Sequence, residues 1–172
     1  MKPSETFAKK QRKKEMKYYI KQKVFSFGDK FYIYDQQGKE IFYVEGEIFS
    51  FGKKLHLYDM SGNELAFISQ KLFSFMPKYY IEKGSSQTAE VVKHFTFFKQ
   101  EYSVYGPEWS VTGDFFDHEY FIYAADHTVA SISKEWFTWG DAYVIDVASG
   151  EDDITAIAVA LVIDAIQDQS DN

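Results

Sequence analysis

Val24-Phe25-Ser26-Phe27-Gly28 returns as Ile48-Phe49-Ser50-Phe51-Gly52 and again as Leu72-Phe73-Ser74-Phe75, each time 24 residues on. Between the first two copies lies Tyr34-Asp35-Gln36-Gln37-Gly38-Lys39-Glu40, and 24 residues later Tyr58-Asp59-Met60-Ser61-Gly62-Asn63-Glu64 matches it. An Asp at the first position and a Gly at the fourth make a type I turn signature. The Asp carboxylate accepts backbone hydrogen bonds within the turn, and Gly takes positive φ without a steric cost. Each unit therefore reads as two strands joined by a tight turn, with the Phe-Ser-Phe-Gly corner passing the chain to the next hairpin.

The pattern continues beyond the repeat. Trp136-Phe137-Thr138-Trp139-Gly140 has the shape of the earlier corners, preceded by alternating segments at Tyr120-Phe121-Ile122-Tyr123 and Val129-Ala130-Ser131-Ile132-Ser133. About twelve strands are predicted, near 17–26, 29–35, 39–49, 52–59, 63–73, 77–83, 87–97, 100–106, 108–114, 119–124, 127–137 and 140–147. An aromatic content of 19%, with 17 Phe and 13 Tyr, suits strands. The first sixteen residues lack this alternation and read as a basic, flexible N-terminal arm, leaving residues 17–168 as a single domain.

The last segment reads differently. Asp152-Asp153 opens a run in which Ile154 to Ile163 hold one polar residue, Thr155. Acidic residues at the start suit a helix dipole, and the alanines favour helix over strand. The helix is predicted over about 152–167. A helix apolar all round has no wet face and must be enclosed. A bilayer is a poor enclosure, because Asp153 to Ile166 rises only roughly 20 Å against a hydrocarbon core of roughly 30 Å. No membrane-spanning segment is therefore expected. About twelve antiparallel strands can close into a barrel, abolishing free edges, and a barrel that wide leaves an interior one apolar helix can fill.

This combination resembles the LURP-one-related family, within the tubby C-terminal-like superfamily. The resemblance is carried by the Phe-Ser-Phe-Gly corners at 25–28 and 49–52, the Tyr-Asp-x-x-Gly turns, Trp109-Ser110-Val111-Thr112-Gly113-Asp114-Phe115, and the closing helix from Asp152-Asp153 to Asp164. It spans roughly 17–168. It implies a mainly β fold, a closed twelve-stranded barrel around a central hydrophobic C-terminal helix. The superfamily includes phosphoinositide-binding tubby proteins and phospholipid scramblases. No site residue is carried over from them, since fold alone does not license function.

Charge is distributed along a gradient. Residues 1–30 hold ten Lys/Arg and three Asp/Glu, residues 31–100 hold eight of each sign, and residues 101–172 set Lys134 alone against fifteen carboxylates. The net charge is −7. A basic head on an acidic body suits a polyanionic or anionic-membrane partner. It equally suits a solvated arm, or one folded against its own body. The candidate lipid-binding residues are Lys9, Lys10, Arg12, Lys13, Lys14 and Lys17 of the N-terminal stretch, with Lys53 and Lys54 on a repeat corner; Lys71 and Lys78 extend that corner patch.

The chemistry-bearing residues form no catalytic set. There is no cysteine, hence no disulfide, thiolate ligand or cysteine nucleophile. No Gly-x-Ser-x-Gly elbow and no phosphate-binding glycine loop occur. Ser26 and Ser50 recur in corners and read as structural. His56 alternates with Leu55 and Leu57 and is expected to face outward. Asp114, Asp117, His118 and Glu119 could meet at a turn and hold a hard cation, or be ordinary turn residues; the latter is preferred, and no metal or cofactor is expected. Trp109, Trp136 and Trp139 suit either an interface or packed corners. The expected role is a non-enzymatic cytoplasmic module docking on anionic phospholipid as a peripheral membrane protein. The alternative is a protein-interaction or structural module without lipid binding. Nucleic acid ranks below both, and a lipid carrier conflicts with a helix-filled barrel.

Overall fold

The computed structural model describes residues 16–21, 30–95, 99–137 and 140–170. It is a closed antiparallel barrel of twelve strands in meander order: β1 (Met16–Lys21), β2 (Phe31–Tyr34), β3 (Glu40–Gly46), β4 (Lys54–Asp59), β5 (Glu64–Gln70), β6 (Lys78–Lys83), β7 (Ser86–Phe95), β8 (Gln100–Tyr105), β9 (Trp109–Asp114), β10 (Glu119–Tyr123), β11 (Thr128–Phe137) and β12 (Gly140–Val147). Every strand expected from the sequence is present. The ring closes where β1 pairs β12, from Met16↔Val147 to Lys21↔Ala142. Closure leaves no edge strand to template association.

The tight turns form for the local reasons the sequence implies. Asp35 Oδ1 accepts from the backbone N–H of Gln37 and Lys39, both at 2.9 Å, and the Gly38 N–H donates to the Asp35 carbonyl at 3.0 Å. Asp59 repeats this with Ser61 and Asn63 at 2.8 and 2.9 Å. Gly38 and Gly62 sit at φ 77° and 85°, and the register shifts by one residue beside each turn. These are type I turns closed by a glycine bulge.

The helix α1 (Asp153–Ser170) runs through the barrel, ending three residues beyond the expected 167. Asp152 caps it, accepting from the Thr155 N–H at 3.1 Å and the Thr155 hydroxyl at 2.7 Å. From Ala156 to Ile163 every residue is completely buried. Inward-facing side chains of the strands, such as Ile20, Ile33, Leu57, Ile68, Ile81, Val91, Ile122 and Ile145, pack in the same core. The dry environment that a helix without a wet face demands is thus the barrel lumen.

The meander gives the barrel two distinct ends. The tight turns β2–β3, β4–β5, β6–β7, β8–β9 and β10–β11 lie at one, here the turn end. The connections β3–β4, β5–β6, β7–β8, β9–β10 and β11–β12 lie at the other, the corner end. Helix α1 starts at the turn end, where Lys83 pairs with Asp152, and finishes at the corner end beneath Lys53.

Candidate functional site

The corner end concentrates exposed apolar groups. In the β3–β4 connection Phe49 is 99% and Phe51 90% exposed; in the β5–β6 connection Phe73 is 105% and Phe75 99% exposed. Ile48 and Leu72 beside them, Phe116 in the β9–β10 connection, and Phe95 and Trp136 at the corner-end tips of β7 and β11, are also exposed. At the turn end, Met16, Met60 and Tyr105 are the large apolar side chains exposed among the described residues.

Both Phe-bearing corners are firmly held. The Lys53 N–H donates to Gln70 Oε1 at 2.9 Å and the Gln70 N–H donates to the Lys53 carbonyl at 2.8 Å, joining the corners across the β4–β5 pair. Ser50 Oγ donates to the Gly52 carbonyl at 2.7 Å, the structural role expected of a serine recurring in a corner. Gly52 sits at φ 79°, and a Cβ there would lie 2.8 Å from Leu72 Cδ2 of the neighbouring corner.

The expected lipid-binding cations do not form one surface. Lys9, Lys10, Arg12, Lys13 and Lys14 lie outside the described residues, as do the first corner, Phe25 to Gly28, and Trp139. Lys17 stands at the turn end, its ammonium 3.3 Å from Asp146, whose hydrogen bond and charge hold the lysine above its usual range. Lys54 is at the corner end, 3.2 Å from Glu47 and half-exposed. Lys53 requires a correction. It is 5% exposed, and its ammonium donates to the Ala165 carbonyl at 3.0 Å and to Asp168 at 2.9 Å, so it faces the helix rather than solvent. The sequence carries the signal: Lys53 shares strand parity with the inward Leu55 and Leu57. Lys93 follows the inward Val91 in the same way, and burial holds it below the usual lysine range. Because β1 runs from Met16 at the turn end to Lys21 at the corner end, Met16 and Lys17 stand opposite Lys54 and the aromatic corners.

The ends also differ in charge. Lys21, Lys30, Lys54, Lys71, Lys78 and Lys99 stand at the corner end, whereas Lys17, Lys39 and Lys83 stand at the turn end. Carboxylates stand at both ends, Asp35, Asp59, Asp126, Asp146, Glu151 and Asp152 at the turn end and Glu45, Glu47, Glu101, Asp114, Asp117 and Glu119 at the corner end. Several corner-end lysines are partnered: Lys78 with Glu90 at 2.7 Å, Lys30 over the Tyr43 ring at 3.6 Å, and Lys71 over Tyr80 at 5.8 Å.

The other candidates have structural partners. His118, at φ 52° in the β9–β10 connection, points Nε2 at Asp164 Oδ1 of α1 at 3.2 Å and stacks on Tyr143 at 4.5 Å. The Tyr143 hydroxyl donates to Asp164 as well. Asp117 pairs with Lys134 at 2.7 Å, which holds its carboxyl below the usual range, and the Lys134 N–H donates to Glu119 at 3.2 Å. Among the described residues no group of three or more His, Cys, Asp or Glu gathers as a metal set. His56 faces outward as expected, between Glu47 at 3.1 Å and Glu64 at 2.6 Å. Trp109 is buried and Trp136 exposed, so the tryptophans divide between the two readings. No described helix is long and apolar enough to cross a membrane.

The described residues thus define a class of fold, a closed twelve-strand antiparallel barrel threaded by a buried C-terminal helix. The profile of the family described as LURP-one-related matches residues 16–164, and the chain belongs to that family. A Bacillus subtilis (strain 168) protein that bears the name Uncharacterized protein YxjI is 39% identical over 148 residues, covering 86% of this chain and 91% of its own. The X-ray structure of an Arabidopsis thaliana protein superposes with a TM-score of 0.69 at 18% identity, covering 90% of this chain and 93% of that one, a likeness of fold.

Proposed function

We propose that this chain is a non-catalytic binding module that docks reversibly on anionic phospholipid, as a cytoplasmic peripheral membrane protein, with the corner end of the barrel as the contact. The observation that supports this reading is the polarity of the barrel. The corner end combines exposed aromatic side chains with six lysines interspersed among carboxylates, while the turn end sets three lysines among its carboxylates. An anionic leaflet repels the lysine-poor turn end more than the corner end, which orients the molecule. Each basic residue near such a surface contributes about 1 kcal/mol, fading within a Debye length. A carrier role is disfavoured, because helix α1 occupies the lumen a lipid would need.

Co-sedimentation with neutral and anionic vesicles at low and high salt tests the reading. Binding that needs anionic lipid, and that weakens when Lys9, Lys10, Arg12, Lys13 and Lys14 are reversed in charge, supports it. A chain that binds no vesicle but retains one specific protein on pull-down is an interaction module instead.

A further inference from the structure

The four phenylalanines of the β3–β4 and β5–β6 corners carry an inference that rests on the lipid-surface reading and deepens it. Electrostatic attraction needs no exposed aromatics, yet Phe49, Phe51, Phe73 and Phe75 are each at least 90% exposed. They are not frayed. The corners are pinned to each other through Lys53 and Gln70, and from below by the Lys53 ammonium on the end of α1. Phe73 holds a left-handed φ of 56°, a strained state for a bulky residue, and no packing of its ring repays that strain. A rigid scaffold that holds strained, water-facing rings is built for an occupant those rings enter.

The shape of the tips selects the occupant. They protrude separately rather than lining a hollow, so a partner must admit several wedges at once. A fluid bilayer does so by parting its headgroups; a folded protein needs a matching set of pockets. Lys54 and Lys71 border the tips, where an anionic headgroup layer would lie above the acyl boundary. We propose that these twin corners are insertion wedges: Phe49, Phe51, Phe73 and Phe75 enter the headgroup–acyl boundary of an anionic bilayer, giving the docked state a hydrophobic component that salt does not screen.

The test uses the full chain with vesicles of phosphatidylcholine and phosphatidylserine, at about 0.1 M and about 1 M salt, where the Debye length falls from roughly 10 Å to roughly 3 Å. A variant carrying Phe49→Ser, Phe51→Ser, Phe73→Ser and Phe75→Ser removes the wedges without touching the core, and its melting curve checks that it folds. Wild type is expected to keep a salt-resistant bound fraction that this variant loses by at least about tenfold, given the transfer free energy of even one phenylalanine. A Phe75→Trp variant reports depth: its added emission should be quenched by lipids brominated on the acyl chains. Unchanged binding by the serine variant, or added indole emission that those lipids leave unquenched, overturns the wedges while leaving docking intact. If wild type binds no vesicle, docking and wedges fall together. If the serine variant then abolishes a dimer seen in wild type, the tips are a self-association face.

Discussion

The ammonium of Lys53 lies 2.9 Å from the Asp168 carboxylate, tying the first residue after the β3–β4 corner to the last turn of α1. The same nitrogen also donates to the Ala165 carbonyl, one turn before the helix ends. A cation there also complements the helix dipole. Lys53→Ala should cost about 1–3 kcal/mol, below the full value of a buried pair because Asp168 is partly exposed. Lys53→Met should cost less by keeping the packed stem. Urea unfolding of both variants checks this.

Two tyrosines near Asp164 should respond oppositely. Tyr143 donates its hydroxyl to the Asp164 carboxylate, whereas the buried Tyr120 hydroxyl has no hydrogen-bond partner among the described residues. Burial pushes both phenols well above their ordinary range, so both stay neutral. Tyr143→Phe should lose about 1.5–3 kcal/mol with its bond to a charged acceptor. Tyr120→Phe should be neutral or stabilising by up to about 1 kcal/mol, since it removes an unmet hydroxyl of nearly the same shape. Denaturant midpoints of the pair decide it.

Gly113 and Gly38 both hold positive φ, but only one is hemmed in by backbone. A Cβ on Gly113 would lie 2.5 Å from the Glu119 carbonyl oxygen and from Tyr120 Cα, whereas nothing lies within 4 Å of one on Gly38. Gly113→Ala should therefore part β9 from β10 and cost more than about 3 kcal/mol, or prevent folding. Gly38→Ala should cost only about 1 kcal/mol of conformational strain. Thermal melts separate the two.

Stability should fall on both sides of neutrality. His127 lies between Asp126 at 2.6 Å and Glu151 at 2.9 Å, and the hydrogen bond to Asp126, then that to Glu151, raises its pKa. Its contribution is complete below the ordinary histidine range and is lost as pH rises through the raised folded value. Partial desolvation opposes ionisation of Asp152, yet bonds from Lys83 and Thr155 outweigh this and lower its pKa. Its contribution is present above the ordinary carboxylate range and is lost as pH falls through the lowered value. Melting temperatures of wild type and His127→Gln should converge above the raised histidine pKa and separate below it.

The strands, the turns and the enclosed helix are legible because each is written locally. Asp35 and Asp59 close their turns with their own carboxylates, period-two alternation sets the faces, and Ile154 to Ile163 offer no wet side. The candidate site is legible only in part. The 24-residue repeat marks the corners, but composition alone groups their lysines with those of the arm. Strand directions counted from β1 place Met16 and Lys54 at opposite ends, and strand parity turns Lys53 inward.

The sequence by itself determined twelve strands, their glycine-bulged turns, and a helix that had to be surrounded. Only the tertiary structure decided which carbonyl and carboxylate receive Lys53, that His118 reaches Asp164 from a corner 46 residues away, and that the rigid Phe corners share one end of the barrel. The reason is one of range. Turns and alternation are satisfied within a few neighbouring residues, whereas these pairings exist only after the ring closes and the helix is threaded through it, which sets distant residues at one height along a common axis.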